Sequence, residues 1–181
     1  MANSHKSILA IETYRIDPVH STISFKVKHM MINHSLGRFN QFDGQVHFDP
    51  HDLSDSSIQM IIQPESIDTH NKERDEHLKG FDFLNISQFP IITFNSTSIT
   101  KLLGRCTIVG DLTIKGITKS VSLHAHIEGP VKNHNGEHVV GITGEMVINR
   151  KDFGISFDKV IEGRPMVDDS VKIDINIEAK R

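Results

Sequence analysis

The stretch VKIDINIEA, residues 171–179, alternates apolar and polar side chains. Its odd-numbered positions from 171 to 177 carry valine or isoleucine, and the even-numbered positions between them carry charged or amide side chains. Successive side chains of a β-strand point to opposite faces, so this spacing predicts a strand with one apolar and one solvated face. A helix would scatter the same isoleucines around its circumference.

Seven further segments show the same alternation, and together they predict eight strands. The strands are expected near residues 16–29, 38–48, 56–64, 91–101, 104–114, 119–128, 138–150 and 169–180. Turns such as Leu103-Gly104 and Lys115-Gly116 separate neighbouring segments and favour antiparallel hairpins. Eight mostly antiparallel strands with wet outer faces fit either a sandwich or a closed barrel.

One polar segment, residues 68–87, breaks the alternation. Asp68 or Thr69 can cap the start of a helix, and Gly80 is typical of a helix end. The apolar turn after Gly80 must bury itself, and a plug over one end of the sheet assembly is its plainest interpretation. We therefore predict a short helical insertion near 69–86.

Composition excludes several classes of function. Acidic residues outnumber basic ones 23 to 20 in this chain of 181 residues, whereas nucleic-acid binding usually needs a basic face. Cys106 is the single cysteine, so no intramolecular disulfide can form. No apolar stretch approaches the roughly 20 residues that span a bilayer as a helix. We expect no nucleic-acid partner and no stable membrane insertion.

The N-terminal sequence MANSHKSILAIETYRI shows no secretion signal. Its apolar run from Ile8 to Ile11 is shorter than the roughly 7–15 apolar residues that such a signal needs. We therefore expect residues 1–13 to form a flexible leader, residues 14–181 to form one domain, and the protein to be cytoplasmic. A secreted or periplasmic location stays open for a chain whose signal has been removed.

Motifs of nucleotide-binding and hydrolytic proteins are absent from the sequence. There is no G-x-x-x-x-G-K-[ST], no G-x-G-x-x-G and no G-x-S-x-G. His124 and His126 share the wet face of one predicted strand and could share a metal ion, but two ligands do not make a site. Surface histidines are the plainer interpretation, and we expect no metal, no cofactor and no catalytic residue.

Three polar residues near predicted strand ends are candidates for chemistry. His29 is in phase with an apolar row, which indicates a core histidine or a contact to the polar head of an apolar ligand. Arg150 closes a later strand, where it either makes ion pairs and carbonyl contacts at a rim or anchors a carboxylate or phosphate. In an enzyme, His20 or His29 would be the general base and Arg150 would hold developing negative charge.

A series of motifs follows in order along most of the chain. The main ones are YRIDPVHSTISF (14–25), GRF (37–39) with FDG (42–44), RDEHL (74–78), FPIITF (89–94), VGDLTIKGITK (109–119) and INRKDFG (148–154). Through this ordered set, over about residues 14–179, the chain resembles the YceI-like family, the lipocalin-like proteins associated with polyisoprenoid binding.

The resemblance implies an all-β fold, an eight-stranded antiparallel lipocalin-like barrel around an apolar pore, and it also implies a homodimer. An eight-stranded barrel suits one chain-like ligand. We therefore expect binding of a long apolar lipid, of polyisoprenoid or fatty-acyl type, for transport, storage or sequestration. The alternatives are an enzyme acting on a buried apolar substrate and a filled barrel that works through its surface.

Ligand contacts are expected from the inward apolar residues and from the polar candidates. They are His20, Ile23, Phe25, Val27, His29, Phe42, Phe81, Phe83, Phe94, Met146, Arg150 and Phe153.

Overall fold

The computed structural model describes residues 11–181, which form an antiparallel β-structure with one short α-helix. The strands are β1 (Glu12–Ile16), β2 (Thr22–His29), β3 (Asn33–Phe39), β4 (Phe42–Phe48), β5 (Ser57–Ile62), β6 (Ile67–Asp68), β7 (Ile92–Leu102), β8 (Arg105–Ile114), β9 (Ile117–Lys132), β10 (His138–Asn149), β11 (Val160–Ile161), β12 (Arg164–Pro165) and β13 (Val167–Lys180). Helix α1 spans Lys72–Lys79.

The main sheet closes into a barrel because β13 has partners along both of its sides. One side pairs with β10, and the other pairs first with β2 and then with β1. Each of the pairs β1/β2, β3/β4 and β5/β6 occupies a single strand position in the barrel wall, and a short break separates the two members of each pair. Counted in this way, the wall has eight antiparallel strands, which confirms the predicted barrel.

The break between β1 and β2, residues 17–21, lies inside the first predicted strand, 16–29, and leaves only Ile16 of that prediction in β1. Pro18 has no N–H to donate to a ladder. The Asp17 side chain accepts a hydrogen bond from the backbone of Val19 at 3.0 Å, and His20 N–H bonds back to the Asp17 carbonyl at 3.3 Å. These local bonds replace ladder bonds, so the chain leaves the wall for a few residues.

Several strand boundaries differ from the prediction; β9, for example, continues to Lys132, beyond the predicted end at residue 128. The second predicted strand, near 38–48, begins earlier, at Asn33, because backbone pairing with β2 continues where the apolar alternation has ended. Glu12 and Thr13, placed in the predicted leader, belong to β1. The leader prediction for residues 1–10 lies outside the described residues.

The two ends of the barrel differ in how they are filled. At one end, the packed end, Tyr14 meets Phe48 edge to face at 6.2 Å between ring centroids, and Val46, Ile99 and Val140 are fully buried around them. The other end, where β7 starts and β8 and β10 finish, is the mouth. Two connecting segments lie over it.

The first covering segment is the helical insertion, residues 69–91, between β6 and β7. Helix α1 begins after Asn71, whose side chain accepts a hydrogen bond from Arg74 N–H at 3.0 Å. The predicted cap at Asp68 or Thr69 is therefore wrong: the Asp68 carboxylate accepts from the His70 backbone instead. The helix ends at Gly80, as predicted.

The second covering segment is the rim segment, residues 150–166, between β10 and β13. It starts with a 3-10 turn over Arg150–Phe153 and contains the two-residue strands β11 and β12. Strands this short carry no alternation, and the sequence did not predict them. Among residues 11–181, no helix has the length and apolar character needed to cross a bilayer.

Candidate functional site

The mouth half of the barrel contains a cavity with a volume of about 180 Å³. Its walls are inward side chains of the barrel strands, and its cover includes Leu78, Phe83 and Leu84 of the helical insertion and Ile155 of the rim segment. Ser24 and Arg150 are the polar residues of the lining, and all the other lining residues are apolar. A cavity of this kind excludes charged ligands from its centre and favours hydrocarbon.

The choice of inward side chains leaves this half unfilled. On β13 the inward positions of the cavity wall carry valine and isoleucine, which are smaller than the aromatic side chains that could fill the lumen. Two inward rings pack on glycines of the neighbouring strand: Phe25 on Gly37 and Phe94 on Gly110. A Cβ at Gly110 would come within 2.5 Å of the Phe94 Cζ, so only glycine lets this ring lie against the wall.

Three rings join the two covering segments over the cavity. Phe83 of the helical insertion and Phe157 of the rim segment lie 4.8 Å apart between ring centroids. The His77 ring meets Phe83 at 5.0 Å and Phe157 at 5.3 Å, both edge to face. Its Nε2 lies 3.3 Å from the Asp82 carboxylate. Opening the mouth therefore requires these aromatic contacts to separate.

Arg150 fixes the rim segment to the barrel. Its side chain is 4% exposed, and all three of its nitrogens are engaged. Nε donates to the Asp168 carbonyl at 3.0 Å and Nη1 to the Ile155 carbonyl at 2.9 Å. Nη2 reaches the carboxylates of Asp169 at 2.9 Å and Asp158 at 3.2 Å. These contacts match the first of the two roles predicted for Arg150, ion pairs and carbonyl contacts at the rim, and not the second, the anchoring of a ligand's carboxylate or phosphate.

Seven of the twelve predicted contact residues line the cavity. They are Ile23, Phe25, Val27, Phe83, Phe94, Met146 and Arg150. The structure brings these seven together from three strands, β2, β7 and β10, and from the helical insertion and the start of the rim segment.

Three predicted aromatic contacts lie elsewhere. Phe42 is buried in the barrel core and Phe153 is buried under the rim turn, but neither lines the cavity. Phe81 is 79% exposed and faces solvent, with the Lys115 ammonium 5.8 Å from its ring centroid. The turn after Gly80 directs Phe83 and Leu84 inward, and Phe81 points away from them.

The two predicted histidines also lie outside the cavity lining. His20 lies at the break between β1 and β2, and His29 lies at the end of β2, opposite Val167 of β13. The alternative hypothesis, in which one of them is a general base toward a buried apolar substrate, receives no support from these positions.

His20 belongs to an ion-pair network at the strand break. Its Nδ1 lies 3.0 Å from the Asp17 carboxylate and 3.8 Å from that of Glu178. The Lys180 ammonium also lies 3.0 Å from the Asp17 carboxylate. Hydrogen bonds from His20, from Lys180 and from the Val19 backbone lower the Asp17 pKa to about 2, and the Asp17 carboxylate in turn raises the pKa of His20.

This network is the one group of three close metal-ligand side chains that residues 11–181 contain. Oxygens and nitrogens of Asp17, His20 and Glu178 lie within 4.8 Å of one another. The Lys180 ammonium already neutralises the Asp17 carboxylate, which makes the group an ion-pair cluster. His124 and His126 gather no third ligand in the part of the chain that the structure describes.

Asp17→Asn is expected to lower the free energy of unfolding at neutral pH by about 1–2 kcal/mol, because His20 and Lys180 lose a charged acceptor. The native pKa of Asp17, about 2, lies below the ordinary 3.8. Its carboxylate therefore stabilises the fold above pH 3.8, and this contribution is lost as the pH falls through 2.

Denaturant titrations between pH 7 and pH 2 check this expectation. The stability difference between wild type and Asp17→Asn should narrow as the pH falls. Asp43→Asn is the matched control, because the ion pair of Asp43 with Arg15 is exposed and its loss should cost little. A difference that stays constant down to the lowest pH would contradict the assignment.

Several lining residues escaped the sequence analysis for two different reasons. The alternation along the last strand predicts that Ile173 and Ile175 point inward. It could not indicate which of the inward residues border the cavity. Leu78 and Ile155 lie in segments without strand periodicity, and no sequence signal placed them over the barrel.

A family model and several sequence relatives match most of this chain. The family model of the YceI-like domain matches residues 14–179. A UPF0312 protein of Shewanella denitrificans is 40% identical over 140 residues, which are 77% of this chain and 73% of that protein. A UPF0312 protein of Staphylococcus aureus is 38% identical over 167 residues, covering 91% of this chain and 95% of that protein.

Solved structures agree with the fold. The crystal structure of Burkholderia cenocepacia BcnA superposes with a TM-score of 0.80 and 25% identity, covering 90% of this chain and 98% of that one. The Campylobacter jejuni YCEI protein superposes with a TM-score of 0.74 and 28% identity, covering 86% of this chain and 90% of that one. A polyisoprenoid binding domain from Saccharophagus degradans superposes with a TM-score of 0.72, covering 92% of this chain and 97% of that one. At 11% identity, this similarity concerns the fold alone.

Proposed function

The chain belongs to the YceI-like family, and on this basis we propose that its barrel binds one long apolar lipid, of polyisoprenoid or fatty-acyl type. The polyisoprenoid-binding fold supports binding of an apolar ligand in general. The lipid class and the physiological use, which we propose to be transport, storage or sequestration, go beyond that general statement.

The observation that carries the proposal is the unfilled mouth half of the barrel. A barrel that worked only through its surface would gain from filling its core, since a buried void forfeits packing contacts. This chain instead keeps a void of about 180 Å³ lined almost entirely by hydrocarbon. The cover of that void consists of two connecting segments, the helical insertion and the rim segment, and not of barrel strands.

The size of the void sets a limit on what the closed form can hold. An engineered cavity of about 150 Å³ in another protein holds one benzene molecule, so about 180 Å³ holds only part of a long chain. The remainder must lie between the covering segments or displace side chains at the mouth. Each buried methylene contributes about 0.8 kcal/mol before ordering costs, so binding should strengthen with chain length.

Native mass spectrometry with fatty alcohols of increasing length tests this function. We expect one alcohol per barrel, retained more strongly as the chain lengthens, and an apolar lipid released on extraction of freshly purified protein. Butanol is the matched control, because it has the same hydroxyl and too little hydrocarbon. Absence of any adduct with hexadecanol, together with a lipid-free extract, would overturn the proposal.

The same spectra report subunit number, which tests the proposed homodimer. The proposed cytoplasmic location is a separate matter, and fractionation of cells that make the protein tests it.

A further inference from the structure

Lys115 bridges the two segments that cover the cavity. It lies in the tight turn between β8 and β9, and its ammonium donates to the Gly154 carbonyl of the rim segment at 3.0 Å. A second bond, at 3.3 Å, runs to the Phe81 carbonyl of the helical insertion. An ammonium carries three N–H donors, so one donor is left over.

The partners of Lys115 are all neutral. They are two backbone carbonyls and the face of the Phe81 ring, whose centroid lies 5.8 Å away. Within residues 11–181, no carboxylate lies within ion-pair distance of its ammonium. Among residues 11–181, the other lysines whose ammonium makes hydrogen bonds or ion pairs all meet a carboxylate; these are Lys79, Lys151, Lys172 and Lys180.

Lys115 is not part of the cavity lining, but it and its two carbonyl partners each lie one or two residues from a lining residue. Ile114, which precedes Lys115, lines the cavity, and so does Ile155, which follows Gly154. Phe83, two residues after Phe81, lines it as well. A half-buried cation with neutral partners gains from an anion that arrives with a ligand, because a charge-assisted hydrogen bond is stronger than a neutral one.

We infer that Lys115 binds the anionic head of the lipid, a carboxylate or a phosphate, while the chain enters the apolar cavity. The inference rests on the proposed function and adds the head-group class to it. Lys115 keeps its two carbonyl bonds and gives its third donor to the anion. Arg150, the cation in the cavity lining, already pairs with two carboxylates, whereas Lys115 pairs with none in the described part of the chain.

The test compares the affinities of hexadecanoic acid and hexadecanol at a pH where the acid is ionised. Wild type should bind the acid about tenfold more tightly than the alcohol, the size expected of one charge-assisted hydrogen bond at a half-exposed site. Lys115→Met should remove this preference by weakening the acid alone, and Lys115→Arg should keep it. Lys119→Met, an exposed lysine on the neighbouring strand, is the matched control and should change neither affinity.

The outcomes separate this inference from the function beneath it. If wild type binds both ligands equally, or if Lys115→Met weakens both equally, the inference fails while lipid binding stands. If neither ligand binds, the proposed function fails with it. Inorganic phosphate is the anion without a chain, and phosphate that binds as tightly as the acid would show an anion site unconnected to lipid and overturn the inference.

Discussion

Arg150→Met is expected to lower the free energy of unfolding by about 3 kcal/mol, since a buried group with several hydrogen bonds is lost. Methionine keeps part of the packing volume, so the expected loss reports the guanidinium. The buried Ile155 carbonyl and the Asp168 carbonyl lose their donor, and a buried carbonyl without a partner is costly.

The same substitution should also free the rim segment locally. Arg150 holds both ends of that segment, through Ile155 near its start and through Asp168 and Asp169 just after its end. We therefore expect limited proteolysis to cut within the rim segment of the variant well before it cuts the barrel strands. Denaturant titration measures the global loss, and mass analysis of the fragments locates the cut.

Lys151→Met is the control for Arg150→Met. Lys151 meets the same two carboxylates, those of Asp158 at 3.1 Å and Asp169 at 3.2 Å, but its side chain is 40% exposed. An exposed ion pair contributes little to stability because water and salt screen it, so this variant should stay close to wild type. Equal losses in the two variants would show that the carboxylates, and not the buried guanidinium, hold the segment.

Val171→Phe is expected to reduce the affinity for a long-chain alcohol at least tenfold without destabilising the protein. Val171 lines the cavity on β13, between Val27 of β2 and Ile148 of β10. A phenyl ring there would occupy the lumen that we assign to the ligand. Filling a void commonly stabilises by about 0.5–2 kcal/mol, so the unfolding temperature should hold or rise as binding falls.

Val147→Phe is the matched control for this prediction. It makes the same chemical change on β10, one position before Ile148, but Val147 is 63% exposed on the outer face. Its affinity for the alcohol should equal that of wild type. A Val171→Phe protein that binds normally would place the ligand outside the cavity, and so would an equal loss in both variants.

The fold could be predicted because the same short-range sequence features, alternation within strands and turns between them, recur along the chain. Alternation along β13 and seven other segments fixes which side chains face inward, and turns such as Lys115-Gly116 fix antiparallel order. Closure itself did not follow from periodicity, which a sandwich also satisfies, and the family resemblance decided it. The breaks after Ile16 and Phe39 were missed because a few residues of local hydrogen bonding leave no period.

Strand parity predicted part of the cavity wall, and the cover was predicted only in part, through the helical insertion and Phe83. Ile23, Phe25 and Val27 follow from strand parity, and they do line the cavity. Phe81 was misplaced because a short apolar turn directs its side chains individually, not by a period. The engagement of Arg150 by the rim segment depends on contacts between parts of the chain that only the folded structure brings together.

The central claim, that an apolar chain enters the barrel, is tested most directly by nuclear Overhauser effects between ligand methylenes and isoleucine methyl groups. With hexadecanol bound, we predict contacts to the lining residues Ile142, Ile173 and Ile177 and none to the exposed Ile61 and Ile91. Contacts confined to Ile61 and Ile91, with the three lining methyls unperturbed, would contradict the account.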